Sequence, residues 1–340
     1  MRQLSTVVGA FTAAVSLLLS GCGTAVPERR ADVDRLGEQL RSMPGVQSVD
    51  TDYADQPARG RVLFAAHVQI AADATTDQLA ALTGAYLEAL RAGKFRGYRS
   101  ELDVRKGWNI FAVSSDDRPI TNADQIIGQA RDWISLRNTL IGATVTLRAT
   151  VGHPAGSPPP RDMPISNRAE VELPENIHSV DIATAVGTIA ARFPRLAVLD
   201  WTVGAAQQLN QIAFVRRFPA AKELDVWRAL ITDQSIPHAD SLRINGPVTP
   251  PIWIAEATTT TDSAEVALDL AQRHLPVVAQ LPAPVLYTAS DQLSGHIGGF
   301  GTARGPVAVT IGGCTPRDPL VYKPKAAELA LAQRYENCHR

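Results

Sequence analysis

At 340 residues the chain has room for two to three domains, given roughly 150 residues for each. A hydrophobic share of 45% and a charged share of 20% are globular rather than disordered, and 33 basic against 34 acidic residues leave a formal charge of -1. That balance provides no electrostatic footprint for nucleic acid. The only apolar run approaching membrane length lies at the extreme N-terminus, which excludes a polytopic membrane protein.

The first residues read as a processing segment. Arg2 is a minimal positive region, and Val7 to Leu19 is an apolar stretch too short to span a bilayer. It ends in Leu19-Ser20-Gly21-Cys22, an aliphatic residue, two small residues and a cysteine. This box resembles the signal of bacterial, actinobacterial-type lipoproteins, and the resemblance covers only these residues. It implies cleavage between Gly21 and Cys22, diacylglycerol on the Cys22 sulfur, and a cell-membrane protein anchored on the extracytoplasmic face. Residues 22–30 then form a short tether. Two or three acyl chains hold a protein at a bilayer far more durably than one.

Beyond the tether, Val33, Leu36, Leu40 and Met43 have helical spacing, with Gly45 as a stop. Val46 to Tyr53 and Arg61 to Ile70 read as a hairpin. Thr75-x-x-Gln78 forms a capping box ahead of a second helix bearing Leu79, Leu82, Tyr86 and Leu87 on one face. Strands Tyr98 to Val104 and Trp108 to Ser114 follow. The order then recurs: a helix capped by Thr121-x-x-Asp124, strands Ala143 to Thr150 and Arg168 to Leu173, a helix from Ser179 to Phe193, and strands Leu196 to Val203 and Gln211 to Arg216. A third pass has a helix from Ala220 to Thr232, strands Ser241 to Ile244 and Ile252 to Ala257, a helix capped by Asp262-x-x-Glu265, and strands Val285 to Ala289 and Pro306 to Ile311.

This pattern predicts an α+β protein of three consecutive units, 31–107, 108–204 and 205–313, repeating about every 85 to 100 residues. Reframed by one strand, the units match the ferredoxin-like split βαβ arrangement, an antiparallel sheet with helices on one face. The surplus strand Pro306 to Ile311 is then expected to complete the first unit and close the three on each other.

The last segment, 314–340, carries the remaining cysteines. With Cys22 assigned to lipid, Cys314 and Cys338 form a pair that an exported compartment would oxidise to a disulfide. A zinc site using His339 lacks the clustered spacing such sites show.

Signals for chemistry are sparse. The loop containing Gly298, Gly299, Gly301 and Arg304 is a possible anion-binding loop, but it precedes a strand rather than a helix and lacks the terminal Lys-Ser/Thr of a phosphate loop. The histidines are scattered singly, and His67 reads as a sheet residue. His296 and Ser294 lack a nucleophile elbow. Glu170 with Glu172, Asp116 with Asp117, and Arg216 with Arg217 are explained by solvated strand faces and turns. The tryptophans read as core, and Trp108 and Trp201 facing outward together would mark a binding face of the sheets. The proline-rich stretch Gly152 to Pro164 reads as an exposed loop.

No catalytic residue, metal site or cofactor is expected. The reading is a membrane-anchored, non-enzymatic lipoprotein that binds an envelope protein partner or serves as a scaffold. The alternatives are a lipid or small-molecule carrier and an envelope hydrolase built from dispersed residues.

Overall fold

The computed structural model describes residues 28–56, 61–116, 118–157, 167–206, 209–260, 263–290, 297 and 302–338. The box ending in Gly21 and Cys22 lies outside the described residues, as do Asp262 and His296 and the glycines Gly298, Gly299 and Gly301.

Helix α1 (Arg30–Arg41) leads into the hairpin β1 (Val46–Gln56) and β2 (Arg61–Ile70). The same motif follows five more times. Helix α2 (Thr76–Arg91) precedes β3 (Arg99–Lys106) and β4 (Asn109–Ser115), and α3 (Ala123–Thr139) precedes β5 (Thr144–Thr150) and β6 (Arg168–Leu173). Next come α4 (Val180–Arg192) with β7 (Asp200–Ala205) and β8 (Gln211–Val215), then α5 (Ala221–Thr232) with β9 (His238–Ile244) and β10 (Ile252–Thr258). The last is α6 (Ala264–Val278) with β11 (Val285–Ser290) and β12 (Val307–Ile311), followed by α7 (Ala326–Gln333).

Local chemistry explains these starts and stops. Thr75 makes its expected capping box, its hydroxyl accepting from Gln78 N at 3.2 Å while the Gln78 side chain accepts from Thr75 N at 2.9 Å. The box expected at Thr121 and Asp124 is absent. Asn122 holds the cap position of α3, and its amide bridges Thr150 O at 2.9 Å and Gly152 N at 3.0 Å. The strand expected from Leu196 begins only at Asp200, because Pro194–Val198 forms a 3-10 turn held by Trp201 Nε1 donating to Leu196 O at 2.8 Å.

The twelve strands form one sheet whose spatial order is the chain order, β1 through β12. Every hairpin is antiparallel, and every pair joined by a helix is parallel, as β2–β3 and β10–β11 are. Three ferredoxin-like units are therefore not what the chain builds. In the split arrangement the strand after a helix leaves a gap for an interleaved strand, whereas here it docks beside the strand before the helix. The sheet runs unbroken across residues 107/108, within the β3–β4 hairpin, and 204/205, within β7. The expected ring closure is also overturned. Strand β12 pairs with β11, and β1 pairs with β2, so both are sheet edges.

All the helices cover one face. Directly paired residues share a face, so Phe64, Val104, Phe111, Leu147, Ala169, Trp201, Phe214, Ile244 and Ile252 belong to the covered side, where they are buried in one continuous core. Trp133 of α3 donates from Nε1 to Val145 O at 3.0 Å, and Tyr86 of α2 donates to Ser100 Oγ at 2.8 Å. Strand direction reverses at each hairpin while the helices stay on one side. Crossovers through α2, α4 and α6 therefore have one hand and those through α3 and α5 the other, so the usual right-handed preference cannot hold for all five.

At the C-terminal edge, Cys314 and Cys338 are disulfide-bonded, with a Cα–Cα distance of 4.8 Å. Arg317 clamps the same segment, donating to both Glu336 carboxylate oxygens and to Ala308 O of β12, each at 2.8 Å. Three large apolar side chains stand in solvent at one end of the sheet: Trp108 in the β3–β4 turn, Ile141 before β5 and Leu209 in the β7–β8 turn. The N-terminus of α1 lies at the opposite end, where Arg29 N donates to the Tyr53 hydroxyl near the end of β1.

No helix among the described residues is long and apolar enough to cross a membrane.

Candidate functional site

The uncovered face is built from the alternate residue of every strand, and its middle strands carry charge. In β6, residues alternate exposed and buried along Arg168–Leu173, which puts Arg168, Glu170 and Glu172 outward. The register sets Glu170 between Thr146 of β5 and Thr202 of β7, and Arg168 between Arg148 and Asp200. Like charges thus meet at Arg148 and Arg168, and each has relief on its far side. Glu101 lies 3.3 Å from Arg148, and Asp200 is the cross-strand neighbour of Arg168.

Over β6 to β9 this face dips into an open trough of about 450 Å³, whose polar lining includes Arg168, Glu170, Asp200, Thr202, Gln211 and Arg243. Gly246 and Pro247 of the β9–β10 turn form one end. Arg243 is held rather than free. Its guanidinium lies 4.8 Å from the Trp253 ring centroid, and burial lowers its pKa. Burial raises the Asp200 carboxyl above its ordinary range, with Arg216 pulling the other way. Beyond Arg243 the face turns apolar. Trp253, Ala255 and Leu286 pack there against Val248 and Ile297.

The residues singled out in the sequence fall in separate places. His67 is a half-exposed sheet residue of the uncovered face, 3.3 Å from Asp52 and 3.5 Å from Asp103. Arg304 is exposed beside Ala303, which bridges to Ile297 and Arg317. Arg217 forms a two-pronged pair with Glu223 at 2.7 and 2.8 Å, which serves the start of α5. Trp201 is buried under the helices, stacked on Phe214, whereas Trp108 is 86% exposed in a turn.

A second cluster, unforeseen in the sequence, lies on the covered face under α6. His238 and Asp240 share one face of β9, Glu256 of β10 is the direct partner of Asp240, Tyr287 comes from β11 and His274 from α6. All five are buried. His238 Nδ1 lies 2.6 Å from Ile236 O, while its Nε2 lies 3.3 Å from Asp240 Oδ2. His274 Nδ1 is 2.7 Å from Glu256 Oε1, its Nε2 is 3.5 Å from Asp233, and the Tyr287 hydroxyl donates to the other Glu256 oxygen.

The electrostatics follow from burial. Desolvation and the facing Asp240 push Glu256 well above the carboxylate range. Burial works against a charged His238, but Asp240 and Glu256 outweigh it and carry the imidazole up to about 9. His274 moves down through burial and the neighbouring His238, and Tyr287 moves up through burial and Glu256. Asp233, at the outer end, is held low by Ser235 and Arg273.

One signal could have revealed this cluster: Glu256 stands alone as an acid in the otherwise apolar run Ile252 to Ala257. His238 and Asp240 were hidden because β9 starts three residues earlier than the apolar pattern predicts.

The comparisons with known proteins give no match: no family model, no curated protein and no solved structure resembles the chain closely enough to be counted.

Proposed function

We propose that this chain is a lipid-anchored, non-enzymatic binding protein of the cell envelope, and that its partner docks on the uncovered face of the sheet. The observation that carries this reading is the one-sided helix layer, which leaves a charged face on a sheet roughly 50 Å wide at ~4.8 Å per strand. The trough over β6 to β9 is the centre of that face. Its arginines and carboxylates share the lining with Thr202, Gln211, Ala213, Val215 and Pro247, which suits a protein segment carrying both charges alongside apolar side chains. Anchoring would act through an acylated Cys22 in the cell membrane, on the extracytoplasmic side, with Arg304 at the margin of the docking face.

A photo-crosslinking residue placed at Thr202 or Gln211 tests the docking face against one placed at Gln272, on the exposed side of α6. Discrete adducts in the native envelope from the first two positions and none from the third are the expected result. Equal labelling from all three sinks the reading. For the anchor, Cys22→Ala is expected to abolish incorporation of a fatty-acid probe, and persistent labelling refutes it.

A further inference from the structure

We infer that His238, Asp240, Glu256 and His274 form a binding site for one divalent transition-metal ion of the zinc type, which fastens α6 to the sheet. The geometry comes first. Donor atoms of His238, Glu256 and His274 lie within 4.8 Å of one another, and all three residues are buried. Asp240, the cross-strand partner of Glu256, lies outside that trio but places Oδ2 3.3 Å from His238 Nε2, within reach as a fourth donor.

The second observation is independent of the clustering. Neither Asp240 carboxylate oxygen makes a hydrogen bond of good geometry, and neither does His238 Nε2, which faces Asp240 Oδ2 at 3.3 Å, although both side chains are 0% exposed. Buried polar atoms are ordinarily satisfied, so this concentration points to a missing cation between them. His238 is already oriented as a ligand. Its Nδ1 hydrogen is committed to Ile236 O, which turns Nε2 toward Asp240, where an ion would take the place of the Nε2 proton.

The 3.3 Å separation of His238 Nε2 and Asp240 Oδ2 equals the edge of a tetrahedron with bonds of about 2.05 Å, the length zinc makes to nitrogen and oxygen. Once the ion has displaced the protons held by His238 and Glu256 to solvent, two neutral imidazoles and two carboxylates around a divalent charge sum to zero, which suits a site without water. Nitrogen and oxygen donors without thiolate favour zinc and its neighbours over the hard cations that take six or more oxygens. The protein's disulfide keeps Cys314 and Cys338 out of competition. Asp233, 35% exposed and 3.5 Å from His274 Nε2, marks the side nearest solvent.

The test uses the full chain in detergent. After chelator treatment it is exposed to zinc, desalted and assayed for metal by mass spectrometry, with thermal unfolding followed in parallel. About one ion per chain and a raised Tm that chelator reverses are expected. His238→Gln and Glu256→Gln should each lower retained metal at least about tenfold, as loss of a ligand does. Cobalt loading of the unaltered chain guards against misfolded variants, because visible absorption of four-coordinate cobalt reports the site without any substitution. A wild-type chain that retains no metal and shows neither the Tm shift nor the cobalt spectrum overturns the inference. Folded variants that keep a full equivalent overturn it as well.

Discussion

Asparagines at strand ends reveal how individual residues set the sheet. Asn109, at the start of β4, accepts from Val145 N of β5 at 2.9 Å, and Asn210, just before β8, accepts from Asp240 N of β9 at 2.7 Å. Both occupy the same place in their units, capping an amide where the parallel ladder would otherwise lose its partner. Asn210→Ala should therefore cost roughly 1–2 kcal/mol in denaturant unfolding, and Asn109→Ala a similar amount; a neutral effect at both would show the contacts to be incidental. Gly312 is a different kind of constraint. Its φ is +70°, and a Cβ there would stand 2.5 Å from the Ala283 Cβ, so Gly312→Ala combines left-handed strain with a steric clash. A loss of about 2 kcal/mol is expected at this position, measurable as a fall in Tm.

Among the elements, what was legible followed the reach of the signal. Strands Arg61–Ile70 and Arg168–Leu173 and the capping box of α2 were predicted to the residue, because alternation and capping are local. The alternation of helix and hairpin was legible as well. Which strand the chain returns to was not, since the order helix-strand-strand is common to the split βαβ unit and to this sequential sheet. The difference rests on contacts between distant residues, such as Asn210 with Asp240, that periodicity does not encode. The buried cluster was missed for a related reason: its members come from β9, β10, β11 and α6, none carrying a motif alone. The disulfide was legible by counting. Replacing Cys314 and Cys338 by serine releases a loop of about 25 residues, and a loss of roughly 3 kcal/mol is expected. Proteolysis should then cut first near α7, and a protease-resistant C-terminus in the variant would contradict this.

For the whole molecule, the N-terminus of α1 and the apolar rim lie at opposite ends of the sheet. If Cys22 carries the lipid, Trp108, Ile141 and Leu209 face away from the membrane. Brominated lipids in vesicles bearing the protein should then quench wild-type and Trp108→Phe fluorescence to the same fractional extent. Stronger quenching that depends on Trp108 would invert the orientation. The two edges also differ in how they resist force. Each helix–hairpin unit is fixed chiefly by its neighbours, as in a repeat array, and β1 is the terminal strand nearest Cys22 along the chain. A pull between Cys22 and a docked partner loads α1 and β1 first and can strip them unit by unit, while the far end stays locked by its covalent bridge and the Arg317–Glu336 clamp. Mechanically, the chain is a zipper with one open end, the end that an acylated Cys22 would tie to the membrane.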